Sequence, residues 1–108
     1  MTRRKPSKAD IARFDKLYSL GDIVAKMRAQ PHEPATLHHI TSGGRRLGHK
    51  FTIPLNPWRH QGTVLPGETS SSMKEVYGPS LAKSRAEFEA AYGTELELLA
   101  ETNRLIGE

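Results

Sequence analysis

The 108-residue sequence contains no cysteine. This absence excludes disulfide bonds and every zinc site that is built on thiolates. Long apolar runs are also missing, and no segment approaches the roughly 20 apolar residues that a membrane-spanning helix needs. No apolar stretch follows the N-terminal charges, so we expect no signal peptide, no membrane contact and a cytoplasmic location. Aromatic residues make up only 6% of the chain, and the mean hydropathy is −0.58, which predicts one domain with a small core.

The charge is distributed unevenly along the chain, whose formal net charge is +4. Residues 1–50 carry eleven Lys and Arg against four Asp and Glu, a balance of +7, whereas residues 51–108 carry five against eight, a balance of −3. A basic half is typical of a surface that meets a polyanion such as DNA. The same imbalance also fits a solvated surface that has no such partner.

The order of residue patterns predicts an α+β fold. Residues 1–6 are predicted to form a basic disordered tail, and residues 7–108 a single domain. Ser7 is expected to cap a first helix that ends at Leu20, with Asp10 reaching back to complete a capping box. The apolar residues of this helix recur at helical spacing, so we expect them to share its buried face. They are Ile11, Phe14, Leu17 and Tyr18.

A hairpin followed by a short helix is predicted in the middle of the chain, over about residues 36–62. Its strands are expected at residues 36–41 and 51–55, joined by a flexible basic loop over residues 42–48. Asn56 is placed to cap the short helix that starts at Pro57. The C-terminal part, about residues 72–107, is predicted to be a run of short helices after a loop over residues 63–72.

Four of the five histidines fall on the predicted hairpin and the start of the following helix. Adjacent residues of a strand point to opposite faces, so His38 and His39 are not expected to face the same way. A neutral imidazole can deprotonate water near pH 7, and a divalent metal ion can stabilise charge on a phosphate, so this set fits phosphodiester hydrolysis. It also fits ordinary surface histidines. The four histidines are His38, His39, His49 and His60.

The order strand, glycine-containing turn, strand and helix resembles the ββα-metal core of the HNH endonucleases. More closely, the chain resembles the Ref (recombination enhancement) group of RecA-dependent nucleases carried by phages and prophages. The similarity covers about residues 11–106. The matching segments are Leu20-Gly21, His38-His39-Ile40, Gly43-Gly44, Thr52-Ile53-Pro54-Leu55, His60-Gln61-Gly62, Tyr92-Gly93-Thr94-Glu95 and Leu98-Leu99.

The resemblance implies a role for three of the histidines. His39 matches the general base that activates water, and His60 matches the final metal-binding histidine. His38 stands where HNH enzymes usually have a metal-binding Asp or His. The implied cofactor is Mg²⁺ or a substitute such as Mn²⁺, held by His38 and His60.

The middle residue of the HNH triad orients the general base, and His49 is the nearest candidate for it. Lys50 and Asn56 remain open as alternatives. From its charge and position, the basic loop is expected to hold the DNA backbone through Arg45, Arg46 and Lys50. The resemblance also implies DNA as substrate, a RecA filament on DNA as a possible partner, and a phage or prophage protein in a bacterial cell; it leaves the oligomeric state unknown.

Relatives of this type resemble one another in a second, structural zinc site, from which this chain departs. They have Cys-x-x-Cys just after the first helix and Cys-x-x-His where the second strand meets the short helix. Here Asp22 and Ala25 stand at the first pair and Asn56 and Arg59 at the second, so no structural zinc is expected. We predict a salt bridge between Asp22 and Arg59. Asn56 is expected to add hydrogen bonds, and Ala25 is expected to fill space. If exposed, such a pair stabilises by only about 0–1 kcal/mol.

Three functions therefore stay open. The first is a metal-dependent DNA endonuclease of HNH type, which predicts sensitivity to His39→Ala. The second is a catalytically inactive DNA-binding module on the same scaffold, whose binding would depend on Arg45 and Arg46. The third is a protein-interaction domain that docks a partner on its C-terminal helices and needs no metal.

Overall fold

The computed structural model describes residues 5–108, and residues 1–4 of the predicted tail lie outside the described part. The fold is α+β, as predicted. Helices flank two short antiparallel strand pairs, β1 with β4 and β2 with β3. The elements are α1 (Lys8–Leu20), α2 (Ile23–Met27), β1 (Thr36–His39), β2 (Thr41–Ser42), β3 (Arg45–Arg46), β4 (Thr52–Leu55), α3 (Pro57–Gln61), α4 (Ser70–Tyr77), α5 (Arg85–Tyr92) and α6 (Glu95–Ile106).

Helix α1 has the predicted start but not the predicted buried face. Ser7 and Asp10 form the capping box. Ile11 and Tyr18, which were expected to be buried, are 51% and 52% exposed. The buried face is instead largely polar, because a buried arginine of α1 is hydrogen-bonded to β4 and α6. The buried residues of α1 are Asp10, Arg13 and Leu17.

The central hairpin pairs β1 with β4 in antiparallel register, from Thr36 opposite Leu55 to His39 opposite Thr52. The expected flexible loop at residues 42–48 is wrong, because β2 and β3 form a second, smaller hairpin there. Gly43 and Gly44 have φ values of 60° and 79°, and two successive left-handed residues make the turn that matches the twist of paired strands. The first strand is also shorter than predicted, ending at His39.

The remaining helices begin at local capping residues. Asn56 caps α3, which has proline at its first position, as predicted. Helix α4 begins at Ser70, inside the segment expected to be loop, because Thr69 and Ser72 form a capping box. Thr94 and Glu97 form the capping box of α6.

The hydrophobic core lies between the central hairpin, α2 and the C-terminal helices. Trp58 on α3 is buried and donates its indole N–H to the Gly78 carbonyl at 2.8 Å, so it packs in the core. No helix in the described part of the chain is long and apolar enough to cross a membrane. The central cluster comprises Ile23, Val24, Ile40, Ile53, Leu55, Leu81, Phe88, Leu98 and Leu99.

Candidate active site

The first histidine pair joins the central hairpin to the helix that follows it. His38 on β1 and His60 on α3 have ring centroids 5.1 Å apart and ring planes at 70°. Both side chains are half-buried. The hairpin and α3 therefore bring together the two histidines that the sequence predicted as metal ligands.

The hydrogen bonds of Thr36 decide which nitrogen of His60 carries the proton. The Thr36 hydroxyl donates to the Leu55 carbonyl at 2.9 Å and lies 2.7 Å from Nδ1 of His60. A hydroxyl has one proton to donate, so its oxygen accepts from Nδ1–H of His60. Burial, together with charge on His38, lowers the pKa of His60 to about 4. At neutral pH His60 is therefore uncharged and carries its lone pair on Nε2.

Glu95, in the first turn of α6, is a site residue that sequence reasoning missed. Its Oε2 lies 2.5 Å from Nε2 of His38, and Arg85 forms a salt bridge with its Oε1. Burial raises the pKa of Glu95, but the hydrogen bonds from Arg85 and His38 outweigh it, so the pKa is below its ordinary value. Glu95 is thus a carboxylate. No local spacing links it to His38, which is 57 residues away, and its place in a family-like segment was the one available signal.

The second histidine pair is formed by His39 on β1 and His49 in the turn before β4. Nε2 of His39 lies 3.3 Å from Nδ1 of His49. Phe14 of α1 presents its ring edge-on to both, with centroids 6.2 Å from His39 and 5.7 Å from His49. His38 and His39 therefore have different partners, as expected for neighbours on a strand.

The backbone at His49 is held by contacts that reach back to α1. The Thr52 hydroxyl donates to the His49 carbonyl at 2.8 Å and accepts from Nε of Arg13 at 3.0 Å. Arg13 also donates to the Thr52 carbonyl at 2.7 Å. Arg13 and Thr52 are both buried. Helix α1 therefore supports the His39–His49 pair in two ways. Arg13 binds Thr52, which donates to the His49 carbonyl, and Phe14 packs against both rings.

The three basic residues predicted to contact DNA lie at the surface. Arg45 and Arg46 form β3, and Lys50 lies in the turn before β4. All three are exposed. The chain thus places three cations on the same 41–50 segment that carries His49.

The predicted pair between Asp22 and Arg59 is confirmed, with 2.9 Å between Arg59 Nη1 and Asp22 Oδ1. The pair is buried, since the side chains of Asp22 and Arg59 are 0% and 2% exposed. Asn56 contributes as predicted, because its backbone N–H donates to Asp22 Oδ2 at 2.5 Å and its side chain accepts from the Arg59 N–H. Ala25 fills buried space and also donates its N–H to Asp22 at 2.9 Å.

Two further partners of Arg59 were not predicted from the sequence. Glu33 accepts from Arg59 at 2.8 Å and from the Asn56 side chain at 2.7 Å. The Tyr77 carbonyl accepts from both Nε and Nη2 of Arg59, at 3.0 and 2.7 Å. Burial raises the pKa of Asp22 above its ordinary value, although Arg59 opposes the shift. We call these residues, Asp22, Glu33, Asn56, Arg59 and the Tyr77 carbonyl, the Arg59 network.

Within residues 5–108, no group of three or more His, Asp or Glu side chains is arranged to hold a metal ion. The histidines instead form two contacting pairs, each with its own supporting residues. An imidazole can act as a general acid or base near neutral pH.

A comparison with protein families gives a specific assignment. The model of the family described as "Recombination enhancement, RecA-dependent nuclease" matches residues 6–107. Because this match covers nearly the whole chain, the protein belongs to that family, as the resemblance of its motifs indicated. The family description names a RecA-dependent nuclease that is associated with enhanced recombination. No curated protein matches the chain.

Proposed function

We propose that this chain is a metal-dependent DNA endonuclease of HNH type that cleaves phosphodiester bonds with His39 as general base. His38 and His60 would hold the metal ion, and Arg45, Arg46 and Lys50 would hold the DNA backbone. Its setting would be RecA-dependent recombination in the cytoplasm of a bacterial cell, with the gene carried by a phage or prophage. The proposal rests above all on the contact between His38 and His60, whose ring centroids lie 5.1 Å apart, with Nδ1 of His60 held by the Thr36 hydroxyl.

His38 and His60 fit a divalent metal ion that takes only two of its ligands from the protein. A metal-binding histidine usually gives its other ring N–H to a protein oxygen, and Thr36 provides that oxygen for His60. Two imidazoles would leave the other positions of the ion to water and phosphate oxygens. When bound, the ion would stabilise the charge that develops on the phosphate. Because Mg²⁺ prefers oxygen ligands, we expect Mn²⁺ to support cleavage at lower concentrations.

The His39–His49 contact supports the role of general base. Nε2 of His39 lies 3.3 Å from Nδ1 of His49, so one of these two nitrogens donates to the other. His49 would hold the His39 ring in one tautomer and orientation, which is the part expected of the middle residue in the triad. Lys50 and Asn56 fit this part less well, because Lys50 is exposed and Asn56 belongs to the Arg59 network.

Cleavage of supercoiled and single-stranded DNA tests the proposal, with RecA present and absent, in Mg²⁺, Mn²⁺ or chelator. We expect metal-dependent cleavage. We expect His39→Ala to lower the cleavage rate by about 10²–10⁴-fold, the contribution typical of a general base. His32→Ala is the matched control, because His32 is exposed and lies outside both histidine pairs. Folded wild-type protein that binds DNA but never cleaves it would refute the nuclease and favour the inactive DNA-binding module.

A further inference from the structure

We infer that Glu95 is the positioning residue that makes His38 present Nδ1, and not Nε2, to the metal ion. The inference rests on the proposed metal site at His38 and His60. It assigns a role to a residue on the last helix, far along the chain from the hairpin that carries His38.

The contacts of Glu95 fix the direction of its hydrogen bond with His38. The Arg85 guanidinium forms a salt bridge with Oε1, so the group stays a carboxylate that has no proton to donate. Its Oε2, 2.5 Å from Nε2 of His38, therefore accepts, and the proton lies on Nε2. In the neutral ring this leaves the lone pair of His38 on Nδ1.

His38 and His60 would then use opposite nitrogens. Thr36 holds the Nδ1 proton of His60 and leaves Nε2 for the metal, whereas Glu95 holds the Nε2 proton of His38 and leaves Nδ1. Each ring is fixed by an oxygen from a different element, β1 for His60 and α6 for His38. Such supporting oxygens keep a ligand in one tautomer and orientation.

The substitution Glu95→Gln changes the proton pattern with little change of shape. Arg85 requires an oxygen, so it would keep the amide carbonyl of Gln, and the amide NH₂ would face His38. A donor at this position forces Nε2 of His38 to accept and moves the proton to Nδ1. The nitrogen that should bind metal would then be protonated.

The test uses the full chain labelled with ¹⁵N, without DNA and without metal. Long-range ¹H–¹⁵N spectra identify the protonated nitrogen of His38, with the signals assigned by His38→Gln. In spectra recorded at a pH at which the His38 ring is neutral, we expect Nε2–H alone in the wild type and Nδ1–H alone in Glu95→Gln. Mn²⁺ titration, followed by broadening of the His60 ring signals, should show 10–100-fold weaker binding in the variant, the usual effect of removing a supporting oxygen.

Glu97→Gln is the matched control, because Glu97 lies in the same helical turn and contacts the N-cap Thr94 but not His38. It should keep the wild-type tautomer and Mn²⁺ affinity. The inference is overturned if wild-type His38 carries its proton on Nδ1, a result that needs no variant to fold. It is also overturned if Glu95→Gln keeps the wild-type tautomer or binds Mn²⁺ as tightly as the wild type. DNA cleavage decides the nuclease proposal separately, since neither readout depends on activity.

Discussion

Replacing Arg59 with Met removes the cation from the Arg59 network while keeping a side chain of similar length. Arg59 is almost fully buried and donates to Asp22, Glu33 and the Tyr77 carbonyl. Removing one partner of a buried pair costs about 3–5 kcal/mol, because the other charge stays buried without it. The variant should therefore lose a large part of the roughly 5–15 kcal/mol by which small domains are stable.

The structure places the expected loss at about 3 kcal/mol, near the lower end of the cost of breaking a buried pair. Asp22 would keep two backbone N–H donors, from Ala25 and Asn56. The Tyr77 carbonyl would keep the hydroxyl of Tyr92, and Glu33 would keep the amide of Asn56. No acceptor of the network is left without a donor, so the loss comes mainly from the uncompensated carboxylates.

Urea unfolding of the wild type, Arg59→Met, Asp22→Ala and the double variant measures this loss and the coupling. We expect the double variant to lose about 1–3 kcal/mol less than the sum of the two single losses, as for residues in one network. Lys74→Met is the control, since Lys74 pairs with Glu87 at 2.9 Å but both side chains are about half exposed. Its loss should be about 0–1 kcal/mol.

Two results would refute this reasoning. One is an Arg59→Met variant within about 1 kcal/mol of the wild type, the range of an exposed pair. The other is strict additivity of the two single losses, which would mean that Asp22 and Arg59 stabilise the fold independently.

Three further predictions concern the surface and the supports of the site. Arg45→Ala should lower the salt slope of DNA binding by about 1 and leave the urea midpoint unchanged, because Arg45 is exposed; an unchanged slope would remove it from the DNA surface. Thr52→Val should lower the free energy of unfolding by about 1–3 kcal/mol, because Arg13 loses an acceptor and the His49 carbonyl loses its donor. Thr52→Ser, which keeps the hydroxyl, should restore most of this loss in the same urea assay, and a Ser variant as unstable as Val would contradict the hydrogen-bond explanation. Gly78→Ala should destabilise by more than about 1 kcal/mol, because φ is 82° and an added Cβ would collide with the Tyr92 hydroxyl; Gly67→Ala, at a φ of 81° with open space, measures the backbone strain alone, and equal losses would exclude the collision.

Most of the helix ends were predictable because their signals are local. Ser7 with Asp10, Thr94 with Glu97, and Asn56 before Pro57 each act within three residues. The buried face of α1 was not predictable in this way. Arg13 is buried through bonds to Thr52, Asn103 and Glu108, which lie 39, 90 and 95 residues away, so tertiary contacts override the apolar spacing.

The candidate site divides in the same way. The Asp22–Arg59 pair was predictable, because both residues stand at positions where relatives have structural zinc ligands, and the two residues carry opposite charges. Glu33 and the Tyr77 carbonyl were not, because Glu33 lies in a loop and a carbonyl leaves no mark on the sequence. Glu95 is the same case, since only the packing of α6 brings it to His38.

Helix α3 links the stability of the fold to the candidate site. Arg59 and His60 are neighbours on this five-residue helix, and successive helical residues point in directions about 100° apart. Arg59 is held by the N-cap residue of α2, Asp22, and by the Tyr77 carbonyl at the end of α4, while His60 is held by Thr36 of β1. An apolar replacement of the Arg59 network could stabilise the fold equally well, but it would not fix how α3 is rotated. Arg59 does so, since its Nε and Nη2 both donate to the Tyr77 carbonyl and its backbone N–H donates to Asn56. We therefore attribute to the Arg59 network the orientation of His60 as well as the stability of the chain.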